Sequence, residues 1–216
     1  MLFSSNWFFD LDKKLREMGL DSDDKSFDEI KSILANPYEL SPDNFADAVV
    51  YVILAAGFSQ KTAKKYHAII MQKLQENCCI EDLLKIFNNK SKITSVIKVW
   101  DNRTDYRNRF YKCKTQDEKI KYLATLPHVG KITANHLARN LGIDVVKYDI
   151  WIQRLGVLYS GNDGLYSLIN NAKLNPEIKK VCDCMFDELV KSTGMPRGYI
   201  DVVLWKASQN HLIEGL

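Results

Sequence analysis

The chain of 216 residues carries 30 Lys and Arg against 27 Asp and Glu, a formal charge of +3, and 46% hydrophobic side chains. This is enough apolar chain for one large or two small domains, and the slight positive charge permits nucleic-acid binding without arguing for it. No apolar run reaches the ~18 residues that span a bilayer, the start Met1-Leu2-Phe3-Ser4-Ser5 lacks the pattern of a secretory leader, and Cys78, Cys79, Cys113, Cys182 and Cys184 form no Cys-x-x-Cys pair, so a protein of the cytoplasm or nucleus with reduced thiols is expected.

Taken in chain order, the elements read as helices, and no stretch alternates long enough to argue for a sheet. Trp7-Phe8-Phe9 reads as packing for an N-terminal helix. Ser26 and Glu29 form a capping box before a helix over 30–35, which Asn36-Pro37 ends. Phe45, Ala48, Val49, Val52, Ile53 and Ala56 follow the helical period, so 43–56 is predicted as a helix buried on a broad face, started by Ser41-Pro42 and broken at Gly57. Gly57-Phe58-Ser59-Gln60-Lys61-Thr62 leads into the next helix.

Two basic clusters follow. Lys61, Lys64, Lys65 and Lys73 lie in a stretch without acidic residues, and Arg103, Arg107, Arg109, Lys112 and Lys114 are interleaved with Tyr106, Phe110 and Tyr111. Each either neutralises phosphates or is a solvated helix face.

Leu126-Pro127-His128-Val129-Gly130-Lys131 is a turn sequence in which Pro127 fixes φ, Gly130 is free to take positive φ, and Leu126 and Val129 can enter a core. A helix should start at Gly130 or Lys131, bury Ala134, Leu137, Ala138 and Leu141, and end at Gly142. Its first turn, through Ile132 and Thr133, would offer backbone N–H groups beside Lys131, which suits a phosphate.

Asp149 precedes a second amphipathic stretch with Trp151, Leu155 and Leu158, over 150–159. A carboxylate there either caps the helix or, held ionised by the dipole, stabilises positive charge on a reacting sugar and orients water. Gly161-Asn162-Asp163-Gly164 marks a break, and a C-terminal helix carries Ile200, Val203, Leu204 and Ala207 on one face with Asp201, Trp205 and Ser208 on another. Asp201 either lines a base pocket beside Trp205 or pairs with Arg197.

The string Leu126 to Ala134, with Val145-Val146-Lys147-Tyr148-Asp149 beyond it, resembles the helix-hairpin-helix and following aspartate of the base-excision DNA glycosylase superfamily, endonuclease III type. The resemblance implies an all-α fold of two helical lobes with the active-site cleft between them, one a helical barrel over 42–144 and the other formed by 1–41 with 145–216. It implies Asp149 as the catalytic carboxylate, and a hairpin that binds double-stranded DNA through His128, Gly130, Lys131 and Thr133. Gln60, with Lys61 and Thr62, matches the family's Gln-x-Thr, whose glutamine fills the gap left by a flipped nucleotide. Ile132, His136, Tyr148, Trp151, Asp201 and Trp205 are the candidate lining of the base pocket, with a polar surface position read ahead of the pocket for His136.

One departure decides the chemistry. Relatives that also nick DNA carry a lysine where this chain has Ile132, and Lys131 is about 100° away around the helix. Without that amine no Schiff base forms and water is the nucleophile, so a monomeric, monofunctional glycosylase that leaves an abasic site is expected. His128 replaces the usual hairpin glycine, and Trp151 stands where many relatives have histidine. Nothing after Cys184 could supply the four-cysteine cluster of many relatives, so no cofactor and no metal are expected. The wording around Lys131 is similar to that of mismatch thymine/uracil glycosylases, which places mismatched thymine or uracil ahead of alkylated purines and oxidised guanine. A phage-type enzyme acting on modified thymine, a DNA-binding module without catalysis, and a lyase working through Lys131 are the alternatives.

Overall fold

The computed structural model describes residues 2–22, 25–170 and 173–216. Among these residues the structure is all-α. No β-sheet forms, and an isolated antiparallel bridge joins Ser22 and Ser26. No helix is long and apolar enough to cross a membrane. The chain divides into two compact units, Met1–Asn36 with Gly142–Leu216, and Pro37–Leu141.

The continuous unit is organised on α3 (Pro42–Ala55), which packs against α4 (Gln60–Gln75), α6 (Lys90–Asp101), α7 (Arg103–Lys112) and α9 (Lys131–Asn140). Its composition explains the central place. Phe45, Val49, Val50, Val52, Ile53 and Leu54 are buried on every side of the helix, each worth about 1.5–3 kcal/mol of apolar transfer. Ser41 caps α3 by accepting from the Asn44 N–H at 3.2 Å, with Pro42 in the first turn. The short helices α5 (Ile80–Ile86) and α8 (Gln116–Leu123) complete the unit, packing on α6 and on α9.

The discontinuous unit joins both ends of the chain. α1 (Ser5–Glu17) and α2 (Phe27–Ala35) pack on α12 (Arg197–Gln209), while α10 (Ile150–Ser160) packs on α11 (Pro176–Thr193). Phe8, Leu15, Phe27, Ile30, Ile152, Leu155, Ile178, Phe186, Tyr199 and Ile200 form its core. The Ser26–Glu29 capping box is present, with α2 starting earlier than the apolar pattern indicated. A 3-10 helix (Asp163–Leu168) follows Gly161, where a plain break was expected. α12 is buried nearly all round, including Asp201 and Ser208, so it has no separate polar face.

Candidate functional site

In the continuous unit the hairpin turn closes with the Val129 N–H donating to the Leu126 carbonyl at 3.1 Å, and both side chains are buried as their pattern indicates. The residue that takes positive φ is His128, at +62°, whereas Gly130 sits at −87° as the N-cap of α9. The expected left-handed glycine is therefore displaced by two residues. At the other end the expectation is met, since Leu141 is the C-cap and Gly142, at φ 86°, is the left-handed residue that ends the helix.

No side chain caps α9, so the N–H groups of its first turn, at Lys131, Ile132 and Thr133, point past an exposed Gly130. A Cβ built on Gly130 would meet nothing within 4 Å. Lys131 is exposed, and Ile132 and Thr133 are half-buried.

The turn before α4 lies in the same unit. Gly57 has φ 79°, and Ser59 caps the helix, accepting from the Thr62 N–H at 3.3 Å while the two hydroxyls meet at 2.8 Å. Lys61 is exposed beside it. The Gln60 side chain, expected to fill the gap in the duplex, lies outside the described residues. Buried Lys92 donates to the Leu54 and Ala56 carbonyls at 3.1 and 2.5 Å, satisfying the C-terminal end of α3, with its ammonium 4.7 Å from the Phe58 ring centre. Burial pushes that ammonium down to about 8, and together with burial of the imidazole its charge holds His128 below the ordinary histidine value.

His136 departs from the surface position read for it. It is buried, with its ring edge-on to Tyr51 at 6.3 Å, inside the continuous unit. The second basic cluster is largely neutralised, since Arg103 pairs with Asp43, Arg107 with Glu39 at 2.6 Å and Arg109 with Asp105 at 3.0 Å. Its aromatic residues serve packing and tertiary bonds, with Phe110 buried on Phe45 and the Tyr111 hydroxyl accepting from the Leu40 N–H at 2.9 Å. Lys61, Lys64 and Lys65 on α4 are exposed.

In the discontinuous unit Asp149 is the N-cap of α10. Its Oδ1 accepts from the Trp151 and Ile152 N–H groups at 3.0 and 3.3 Å. Its Oδ2 lies 3.4 Å from the Lys147 ammonium, in a pair whose side chains are only 19% and 13% exposed. Lys147 in turn stands 5.2 Å from the centre of the half-buried Trp205 ring. Fully buried Gln153 fixes the backbone here, donating to the carbonyls of Tyr148 and Asn170 at 2.9 and 3.0 Å while accepting from the Asn170 N–H at 3.1 Å.

Lys147 and Gln153 were not singled out in the sequence. The signal for Lys147 was its place two residues before Asp149 in the non-helical run 143–149, because residues two apart in an extended chain share a face.

The remaining predicted pocket residues of this unit divide. Trp151 is half-buried, with its ring 6.0 Å from that of His211 and 5.2 Å from the Arg154 guanidinium. The Tyr148 hydroxyl donates to Asp183 on α11, beneath the Lys179 ammonium, and burial with that carboxylate raises it far above the ordinary tyrosine range. Asp201 is fully buried, and Arg197, offered as its alternative partner, pairs with Asp187. The structure therefore gathers Lys147, Asp149 and Trp205, and directs the Tyr148 hydroxyl to α11. No group of three or more His, Cys, Asp or Glu side chains suited to a metal ion occurs among the described residues.

No family model and no curated protein matches the chain by sequence. Solved structures match it by fold. The 8-oxoguanine DNA glycosylase of Methanocaldococcus jannaschii superposes with a TM-score of 0.69 at 16% identity, over 95% of this chain and 93% of that one. The 8-oxoguanine DNA glycosylase of Thermotoga maritima gives 0.62 at 16% identity, over 98% and 97%. A structure of the Methanocaldococcus jannaschii 8-oxoguanine glycosylase/lyase with a 15mer DNA containing 8-oxoguanine gives 0.64 at 17%, over 95% and 98%. At this level of identity the likeness is one of fold, and the all-α fold of this chain is that of these 8-oxoguanine DNA glycosylases along nearly its whole length.

Proposed function

We propose that the protein is a monofunctional DNA glycosylase that removes a damaged or mismatched base from double-stranded DNA, acting as a monomer. The observation that carries the reading is the Asp149 carboxylate, largely buried and oriented at both oxygens by the start of α10 and by Lys147, on a fold shared with DNA glycosylases. A carboxylate fixed in this way is suited to stabilise the sugar cation that grows as the N-glycosidic bond breaks, and to hold a water against C1′. The uncapped start of α9, Lys131, Thr133 and the exposed Lys61 serve as the phosphate anchor, with Gln60 as the gap filler.

Hydrolysis rather than lyase chemistry rests on Ile132, which occupies the position where nicking relatives of the resembling family carry an amine. The neighbours act on 8-oxoguanine, which puts that base first among those to test, ahead of the mismatched pyrimidines favoured by the hairpin wording. The test is base release from labelled duplexes holding 8-oxoguanine opposite cytosine, uracil or thymine opposite guanine, 3-methyladenine, or 5-hydroxymethyluracil. Strand breaks seen only after alkali, and lost in Asp149→Asn, support the reading. Breaks without alkali together with a borohydride-trapped adduct replace hydrolysis by lyase chemistry. Duplex binding without release of any base leaves a DNA-binding module.

A further inference from the structure

An N-glycosidic bond that breaks ahead of water attack separates charge in two directions. The sugar becomes cationic and the departing base takes the bonding electron pair. A site that places one fixed charge for each half lowers the barrier more than a carboxylate alone, because neither charge needs to reorganise during the reaction. The pair formed by Asp149 and Lys147 has this character, with opposite charges 3.4 Å apart, both side chains withdrawn from solvent, and the half-buried Trp205 ring 5.2 Å from the ammonium.

We infer that Lys147 is a second catalytic residue, whose ammonium donates a hydrogen bond to the departing base while Asp149 faces the sugar, with Trp205 offering the base a stacking surface. The inference rests on the glycosylase reading and adds to it the group that activates the leaving base. A carboxylate has about four acceptor positions, and with Oδ1 accepting from two backbone N–H groups and Oδ2 facing the ammonium at 3.4 Å, Oδ2 keeps capacity to face the sugar. Lysine brings three donors to this task. The ammonium can thus keep its ion pair with Oδ2 and offer an N–H to an exocyclic oxygen or ring nitrogen of the base.

The reaction balances without a further reagent. The C1′–N bond breaks with its electron pair going to the base, the water oxygen bonds to C1′, and the proton released by that water ends on the base. Lys147 gives a hydrogen bond and keeps its proton, and no redox change occurs.

The test reads the dependence of excision rate on the base that leaves. Single-turnover excision is measured for wild type, Lys147→Met, Lys147→Arg and Asp149→Asn on duplexes holding 5-fluorouracil, uracil or thymine opposite guanine, and on 8-oxoguanine and 7-methylguanine. 5-Fluorouracil leaves more readily than thymine, and 7-methylguanine leaves as a neutral molecule. Within whichever series the wild type processes, Lys147→Met should slow the poorest leaving base by about 100-fold and the best by tenfold or less. Lys147→Arg should restore most of the loss, and Asp149→Asn should slow every base alike. Circular dichroism and thermal unfolding check that each variant is folded.

Equal loss across the series, or none, overturns the role given to Lys147, as does a borohydride adduct that disappears in Lys147→Met. A wild type that releases no base from any duplex overturns the glycosylase reading itself, an outcome separate from these.

Discussion

Gly156 of α10 lies so close to Cys182 of α11 that a Cβ added to it would fall 2.4 Å from the Cys182 sulfur and 3.1 Å from its backbone nitrogen. Both residues are buried, and the Cys182 thiol donates to the Ile152 carbonyl at 3.4 Å, so the sulfur has little room to retreat. Gly156→Ala should therefore destabilise the protein by about 1–3 kcal/mol in urea unfolding. Pairing it with Cys182→Ala should recover only part of the loss, because the backbone contacts remain. Since α10 carries Asp149 at its start, excision by Gly156→Ala should also fall.

Asp149→Asn separates cap from catalyst. Asparagine caps a helix about as well as aspartate but leaves the largely buried Lys147 ammonium without its counter-charge, so the melting temperature should fall by about 3–8 °C while the fold is kept. Base release should fall at least 100-fold, with duplex affinity within a few-fold of wild type. A variant that keeps its excision rate would reduce Asp149 to a cap.

At His128 the backbone takes φ +62°, a conformation that costs a residue with a Cβ about 1–2 kcal/mol. His128→Gly should stabilise the protein by about 0.5–1 kcal/mol, once the greater freedom of glycine in the unfolded chain is subtracted. Duplex binding at pH 7 should change little, since burial, with the nearby Lys92 charge, disfavours the cationic imidazole. Chemical denaturation and fluorescence anisotropy with a labelled duplex measure the two effects.

Gly130 is required neither by its φ of −87° nor by any neighbour within 4 Å of a Cβ. Gly130→Ala should leave stability within about 0.5 kcal/mol while weakening duplex binding about tenfold, because the methyl group stands where a phosphate would approach the start of α9. Binding unchanged by this substitution would mean that the first turn of α9 does not meet DNA.

Lys92 supplies a pH signature. Its folded-state value of about 8 lies below the ordinary lysine value, so between about pH 8 and 10.5 the unfolded chain holds a proton that the folded chain has released. Stability contributed by this site should rise across that window, by on the order of 2–3 kcal/mol, and be flat on either side. Urea unfolding of wild type and Lys92→Met from pH 7 to 10.5 isolates the effect, since the rise should be missing in the variant.

Local chemistry was legible in the sequence wherever neighbours along the chain decide the outcome. Ser26 with Glu29, Ser41 with Pro42, and Asp149 before α10 cap their helices, and Leu126, Val129, Ala134 and Leu137 are buried, because capping and helical period act over a few residues. What the sequence withheld depends on distant partners. Arg197 pairs with Asp187 rather than Asp201, Tyr148 reaches Asp183 on another helix, and His136 is buried where its polarity pointed to the surface. The shift of positive φ from Gly130 to His128 is of a third kind, because the turn fixes which position is left-handed whatever residue stands there. Lys147 stands two residues before Asp149, and its ion pair with that carboxylate was hidden because charged residues near a helix start are ordinary.

The two units differ in how their chain is supplied, and this sets an order on synthesis. Pro37–Leu141 is one continuous run, complete when residue 141 has left the ribosome. The other unit begins first and closes last. Arg16 waits for Tyr199, 183 residues later, and Phe8 and Phe27 pack against that same tyrosine. Units with local contacts fold early and those closed by distant contacts fold late. The turn over 126–130 and the start of α9 are thus complete in the chain well before Asp149 acquires the helices that support it, so a product terminated after residue 141 would hold that turn without Asp149.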